Sequence, residues 1–592
     1  MKQFQFDYKN KDNLLSYLKR IKQWCQTTVL SNVLFQIYTE SLDKNKINGI
    51  CEVIKNEMPD AIYMGCSSNG NILMGDKSAD SISIVCTAYE YPSTKIKLLQ
   101  YHLDAECALD VAIDLNKFVR ENSWVKSIVT FTTMRGMSMT EYCEELGMLP
   151  KSIVFCGGGA FSGDINDNAA VVFSSEGEVS DHAAVFLLTG GDDYYVQALH
   201  VTGWKPLGRY LQVTKAKGEM LYELDGKPAY ETYSRYLDIK NDDDFFFNTL
   251  EFPFLYELHG QDILRAPIDS GDDGSITMTA DIAENVKARI AYGDPQTILK
   301  SVHDAAYSFQ KFIPDAITVF SCAGRRTFWG DDEIGNETQP FQSLAPTSGF
   351  YTSGEFLRNG DYVNQHNVTL VVAAQREGNI AGRTMPQVDT SNDGFSGKVS
   401  MIKRLATFIQ AATEELEQAN KKLEVMAITD GLTGLYNRTE IQNRITDNAK
   451  ANEFGAHGIM NTGSSLIMMD IDDFKTVNDN YGHKEGDNVL KGLSRMLKET
   501  VGADAPDASI GRWGGEEFMV LLPTTRLEKA AEISEKIRKN FNEIEFELAG
   551  HRTISLGVTE MIAGEDADLA CMRVDGALYT AKRNGKDQVV QA

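Results

Sequence analysis

The sequence predicts a multidomain α/β chain: a mixed α/β region in two parts, a long linker helix, and a smaller C-terminal α/β domain. Three observations carry this. The 592 residues exceed what one hydrophobic core usually organises and point to three or four domains. Short apolar runs alternate with helical patterns over the first 395 residues or so. A heptad repeat then separates that region from a segment where an apolar strand runs straight into carboxylates.

In the first region, strands are expected near 81–86, 127–131, 169–173, 184–188, 316–320 and 368–373, with helices near 13–25, 46–56 and 104–121. Residues 1–24 read as a helical extension, 25–224 and 225–395 as two halves, and Asn241-Asp-Asp-Asp-Phe as an exposed turn between two subdomains. Gly157-Gly158-Gly159 follows a strand, but no P-loop Lys or Ser/Thr follows it, so a plain tight turn is the expectation. Arg325 or Arg326 can grip a ligand carboxylate or form an internal ion pair, and the sequence leaves both open.

Composition narrows the partners. A net charge of −26 disfavours nucleic acid and anionic membrane surfaces. No apolar stretch approaches 18 residues and the start lacks a signal-peptide core, so a cytoplasmic protein without membrane spans is expected. The nine cysteines include no Cys-x-x-Cys pair and read as reduced, mostly buried thiols.

Ile402, Leu405, Ile409, Ala412, Leu416, Ala419, Leu423 and Met426 follow alternating steps of three and four within the linker, 396–426. A parallel two-stranded coiled coil is the preferred reading; the other is a single amphipathic helix packed on its own domain. Such a coil would bring two copies of the following domain together.

That domain, 427–592, carries the chemistry. Gly514-Gly515-Glu516-Glu517-Phe518 lies between two β-like runs, and Gly514-Gly515 reads as a two-residue hairpin turn with positive φ at both positions. Two carboxylates at a hairpin tip call for a cation, and a divalent metal on a nucleotide supplies one. The apolar run 465–469 leads into Asp470-Ile-Asp-Asp-Phe-Lys475, which puts Asp470 at a sheet rim.

With Asp430–Arg438, Asn478–Asp487 and Ala581–Asp587 added, residues 427–592 resemble the GGDEF family of diguanylate cyclases. The resemblance implies a palm-like domain with a mostly antiparallel central sheet. It implies Mg2+ (or Mn2+) held by Asp470, the backbone carbonyl of Ile471, Glu516 and Glu517, with Glu516 as general base. It implies guanine contacts from Asn478 and Asp487, phosphate contacts from Asp473, Phe474 and Lys475, and charge neutralisation by Lys475, Lys582 and Lys586. Lys475 is therefore a catalytic candidate beside Glu516. Lys586 stands where the family often has Arg, a point charge in place of a fork. The implied reaction joins two GTP into cyclic di-GMP in a homodimer. Ala505-Pro506-Asp507-Ala508 lacks the Arg of the family's Arg-x-x-Asp product site, so no feedback inhibition through it is expected. The rival readings are a catalytically inactive GTP-binding regulator or scaffold, and a cyclase making cyclic GMP.

The stretches Ala61–Gly70, Ile153–Ala160, Phe320–Arg326, Gly349–Phe356 and Asn364–Leu370 together resemble the FIST sensory domain, whose halves would fall over 25–224 and 225–395. That resemblance implies a small ligand such as an amino acid, or haem in one branch. The ligand candidates are Arg325, Tyr351, Glu355 and His366. The haem-ligand candidates are His366, His102, His182, His200, His259 and His303, each read by default as hydrogen-bonded or surface histidine.

Overall fold

The computed structural model describes residues 1–134, 137–162, 169–389, 401–453, 463–562 and 565–592. The start of the expected linker, 396–400, lies outside the described residues, as does the Ile402 side chain. The chain divides into two compact units, Met1–Thr413 and Glu414–Ala592.

Three six-stranded sheets of the first unit each hold one parallel pair bridged by helical chain. The pairs are Asn32–Thr39 with Ile62–Ser67, Val125–Thr132 with Val154–Gly159, and Ala316–Cys322 with Thr347–Thr352. These strands are largely buried, as strands covered on both faces are. A fourth sheet has eight strands, all its pairs antiparallel, within residues 204–293.

The sheets do not stop at residue 224. Asn71–Leu73 pairs with Thr347–Thr352, Glu355–Asn359 with Val154–Gly159, and Tyr194–Val201 with Leu370–Glu377. Each half thus lends strands to sheets of the other. Such exchange satisfies edges that would otherwise expose unpaired backbone groups.

Besides Gly157-Gly158-Gly159, which end the strand Val154–Gly159 and form no tight turn, two expectations need correction. The first 24 residues are not simply helical: Lys2–Asp7 is a strand paired antiparallel with Ile82–Tyr89. Its Lys-Gln-Phe-Gln-Phe alternation is a strand signal only two apolar residues long, with Phe6 buried. The helix behind it, Lys11–Gln26, is capped by Asn10 and buries Leu14, Leu18 and Ile21. Secondly, residues 241–244 are exposed but do not separate subdomains. They join helices Ala229–Leu237 and Phe245–Leu250, whose Tyr233 and Phe245 share one core.

Helix α1 (Met401–Ile428) crosses the boundary between the units. Leu405, Ile409, Leu416, Leu423 and Met426 of its heptad are all exposed. Within Glu414–Ala592 follow α2 (Arg438–Glu453), β1 (Ser464–Ile471), α3 (Phe474–Tyr481), α4 (His483–Asp504), β2 (Ser509–Gly514), β3 (Glu517–Leu522), α5 (Leu527–Asn542), β4 (Ile554–Met561), α6 (Ala567–Arg583) and β5 (Val589–Gln591). Their sheet runs β2-β3-β1-β4-β5, antiparallel except for β4 with β5.

The period-2 alternation of a strand decides what faces what. Ile467, Met469 and Ile471 of β1, with Phe518, Val520 and Leu522 of β3, join the core under α4 and α5. Leu466 and Met468, with Met519 and Leu521, join the opposite core under α2 and α6. Asp470 continues the second series by parity, and so does Glu517.

Candidate active site

The register of β1 and β3 sets Asp470 directly opposite Glu517. Both project toward the α6 face, and Lys582 on α6 reaches Asp470 Oδ2 with its Nζ at 2.6 Å. Gly557 of β4 lets α6 come this close: a Cβ there would stand 2.3 Å from the Val574 carbonyl oxygen. The hairpin differs from the expected Gly-Gly turn by one residue. Gly514 still pairs with Glu517, so the two turn residues are Gly515, at φ 49°, and Glu516. The register shift between Arg512 and Gly514 is what moves it.

Arg512 holds this tip. Its Nε and Nη2 donate to the Gly515 carbonyl at 2.9 and 2.7 Å, and its Nη1 pairs with Asp430 at 3.2 Å. Asp430 also accepts from the backbone N–H and hydroxyl of Thr433. The motif Asp430–Arg438 is thereby fastened to the hairpin, and Arg438 lies over the Trp513 ring at 5.1 Å.

The electrostatics show a deficit of positive charge. Burial pushes the Asp470 carboxyl up to about 6, and the charges of Glu516 and Glu517 add to this although Lys582 opposes it. Glu517 is also raised, first by burial, with Asp575 and Glu516 adding to it. Carboxylates crowded this way favour a cation among them. The donor set is all oxygen and suits Mg2+ or Mn2+.

The remaining candidates surround this rim. Asp473 takes φ 55° at the start of α3 and pairs with Lys586 at 2.6 Å. Phe474 is buried, and Lys475 is exposed on α3. Gly482, at φ 82°, turns the chain from α3 into α4. The turn brings Asn478 against Gly486, where a Cβ would stand 2.1 Å from Asn478 Oδ1, and sets Asp487 next in the chain.

Sequence reasoning missed Asp472. It is buried and accepts from the Thr553 and Ser555 hydroxyls and from the Asp587 N–H, tying the Lys586 loop to β1 and β4. Its place inside the Asp470–Lys475 run was the only signal, and it does not distinguish a positioning carboxylate from a ligand.

In the first unit Arg325 is a structural residue. It is wholly buried, with Nε and Nη2 on the two Glu337 oxygens at 2.9 and 2.6 Å and Nη1 on the carbonyls of Thr202 and Val368. Few of its donors remain for a ligand. Arg326 pairs with Asp331 and donates to Asn69. Tyr351, Glu355 and His366 are buried, and among the described residues the Tyr351 hydroxyl, Glu355 Oε1 and both His366 ring nitrogens have no hydrogen-bond partner. Burial raises the Glu355 carboxyl to about 8.

A cavity of about 740 Å³ opens in the same unit. None of these four residues lines it, and no described lining residue is a histidine. His366 stacks on His200 at 4.7 Å, His259 on Tyr362 at 3.9 Å, His102 pairs with Asp104, and His182 with Asp181. No described helix is long and apolar enough to cross a membrane.

Residues 427–588 match the family described as diguanylate cyclase, GGDEF domain; 34–227 match the FIST N domain and 229–358 the FIST C domain. Diguanylate cyclase DgcM of Escherichia coli K12 is 36% identical over 200 residues, 33% of this chain and 47% of that protein. The uncharacterized protein YhcK of Bacillus subtilis is 40% identical over 174 residues, 28% of this chain and 46% of that one. Diguanylate cyclase VdcA of Vibrio cholerae is 33% identical over 193 residues, 31% and 53%. The chain thus spans about half the length of these curated relatives. Among solved structures, the coiled coil and GGDEF domain of DgcB from Caulobacter crescentus, in complex with c-di-GMP, matches at 30% identity and a TM-score of 0.30, over 33% of this chain and 100% of that one.

Proposed function

We propose that this chain, which joins FIST N and FIST C domains to a C-terminal GGDEF domain, is a ligand-regulated diguanylate cyclase. It condenses two GTP into one cyclic di-GMP and two pyrophosphates. The observation that carries this reading is the convergence of Asp470, Glu516 and Glu517 on one rim beside Lys582. Relatives named diguanylate cyclase over the same segment support it.

Asp470, Glu517, Glu516 and the Ile471 carbonyl would hold Mg2+ or Mn2+, which when bound supplies positive charge against the triphosphate. Glu516, at the turn, takes the proton of the ribose 3′-hydroxyl. The 3′-oxygen bonds to the α-phosphorus of the facing GTP, and the bond from that phosphorus to the bridging oxygen breaks. Lys475, Lys582 and Lys586 balance the charge that collects on the departing pyrophosphate. Lys582 and Lys586 leave Asp470 and Asp473 to do so. Asn478 and Asp487 read guanine: the carboxylate accepts from N1–H and N2–H2, and the amide meets the acceptor edge. Asp473 and Phe474 offer backbone N–H groups to the β and γ phosphates at the start of α3.

Each cyclisation needs two GTP face to face, so the working unit is a homodimer. The exposed heptad of α1 supports pairing through that helix. A small molecule bound by the first unit sets the output, with cytoplasmic location the expected setting. Incubation of the purified chain with GTP and Mg2+, followed by separation of nucleotides, tests the reading. Cyclic di-GMP with two GTP consumed and two pyrophosphates released per product is expected; cyclic GMP alone, or unaltered GTP, would overturn it.

A further inference from the structure

The cavity of about 740 Å³ lies wholly within the first unit and is of a size that holds a small metabolite. Its lining comes from both halves: Asn69, Met134, Met139, Phe161 and Glu219 from the first, and residues from Asp242 to Val368 from the second. Four of the stretches that resemble the FIST domain reach it, through Asn69, Cys322–Gly324, Thr352 with Ser353, and Gln365 with Val368.

Its chemistry is lopsided. Glu219, Asp242, Asp243, Asp269 and Asp281 line it, and no described lining residue is Lys, Arg or His. Four of these carboxylates are exposed and stand at the mouth, while Asp281 is half-buried. Asp281 is held in place by the hydroxyls of Ser138 and Thr140 at 2.5 and 2.6 Å. The nearby Arg265 does not line the cavity: its guanidinium donates to the carbonyls of Asp281 and Leu264 and to Asn367. Glu219 is exposed yet partly desolvated: its carboxyl is raised first by that desolvation and then by the charge of Asp281.

Behind the mouth the surface is apolar and soft. Met139, Phe245 and Leu250 are buried, with Met134, Met137 and Phe246 beside them. Methionine fills irregular space around a ligand, and aromatic faces attract cations.

We infer that this cavity binds an organic ammonium cation with an apolar body. The ammonium group sits between Glu219 and Asp281, and the body lies against Met139, Phe245 and Leu250. An amino acid would bring a carboxylate that finds no described cationic partner there, and an acidic cofactor would meet repulsion. The inference deepens the ligand-regulated reading and rests on it only for the consequence of binding, not for binding itself.

Isothermal titration of the full chain with phenethylamine and with spermidine tests it, using 3-phenylpropionate and phenylalanine as the matched anion and zwitterion. At least one amine is expected to bind one per chain, weakening with salt, while 3-phenylpropionate does not bind. Asp281→Asn and Glu219→Gln should each weaken amine binding about tenfold. Glu219→Gln, at an exposed position, keeps the test open if loss of the Ser138 and Thr140 contacts unfolds the other variant. Anion binding as tight as amine binding, affinity indifferent to both substitutions, or no amine binding at millimolar concentration would overturn the inference. Amine binding with unchanged cyclic di-GMP output keeps the cation site and removes the regulatory reading. An anion that binds and changes output does the reverse.

Discussion

Arg325 with Glu337 in the first unit, and Asp470 with Lys582 in the second, are both close ion pairs, each 2.6 Å across. The first pair is closed on itself. Glu337 receives Arg325 in two places and the Trp329 indole N–H as well, and Arg325 lies 5.0 Å from the Trp204 ring. Its hydrogen-bonding capacity is nearly spent inside the fold. The second pair is outnumbered: one lysine faces Asp470 while Glu516 and Glu517 push the same carboxyl upward. A closed pair holds structure, whereas an outnumbered one has affinity left for a ligand. Charge imbalance, more than burial or ion pairing as such, separates the candidate active site from the scaffold.

Breaking each pair should therefore give opposite phenotypes. Asp470→Asn is expected to lower cyclic di-GMP formation by at least about 100-fold, with little change in the thermal unfolding of its own unit, followed by circular dichroism. Glu337→Gln should do the reverse. It leaves a buried guanidinium without its counter-charge and costs about 3–5 kcal/mol of stability in the first unit, read from denaturant unfolding by the four tryptophans there (24, 124, 204 and 329). If Asp470→Asn unfolds its own unit, or Glu337→Gln leaves the first unit's stability intact, the distinction fails.

A smaller effect sharpens the active-site side. Gly486→Ala improves helix propensity in α4 by up to about 1 kcal/mol, yet its Cβ would displace Asn478. The expected result is unchanged or raised stability, with GTP affinity about tenfold weaker in a nucleotide titration. Unaltered GTP affinity would remove Asn478 from guanine recognition.

A further effect concerns pH. Burial holds the Glu355 carboxyl at about 8 in the folded chain, against 4.5 for an ordinary glutamate. Between those values the unfolded chain has released a proton that the folded chain keeps. Stability of the first unit should therefore fall as pH rises from about 4.5 to 8, through this group by on the order of a few kcal/mol. Glu355→Gln should flatten the slope of unfolding free energy across that window; an identical slope would show that Glu355 is not the proton carrier.

How much was legible beforehand follows the same division. The run 465–475 and the hairpin at 509–522 carry their geometry locally, through strand parity and a tight turn. Asp470 and Glu517 could therefore be placed together from their motifs, although the bulge that shifts the turn to Gly515 and Glu516 could not. Asp430 and Arg512 lie 82 residues apart, and nothing in either motif announces their pairing. The first unit was harder because its sheets exchange strands: Asn71–Leu73 ends up beside Thr347–Thr352. The cavity is lined by residues from 69 to 368 that no local pattern joins. Arg325 stayed ambiguous because its partner lies 12 residues on, past a helix and a turn.

The most direct measurement is a paired assay on Glu516→Gln: GTP binding by titration, and cyclic di-GMP formation from GTP with Mg2+. The amide keeps the shape of the turn and loses the base. Bound GTP with product formation reduced by about 100-fold or more is the expected result. Product formed at the rate of the unsubstituted chain would contradict the central role of the carboxylate rim.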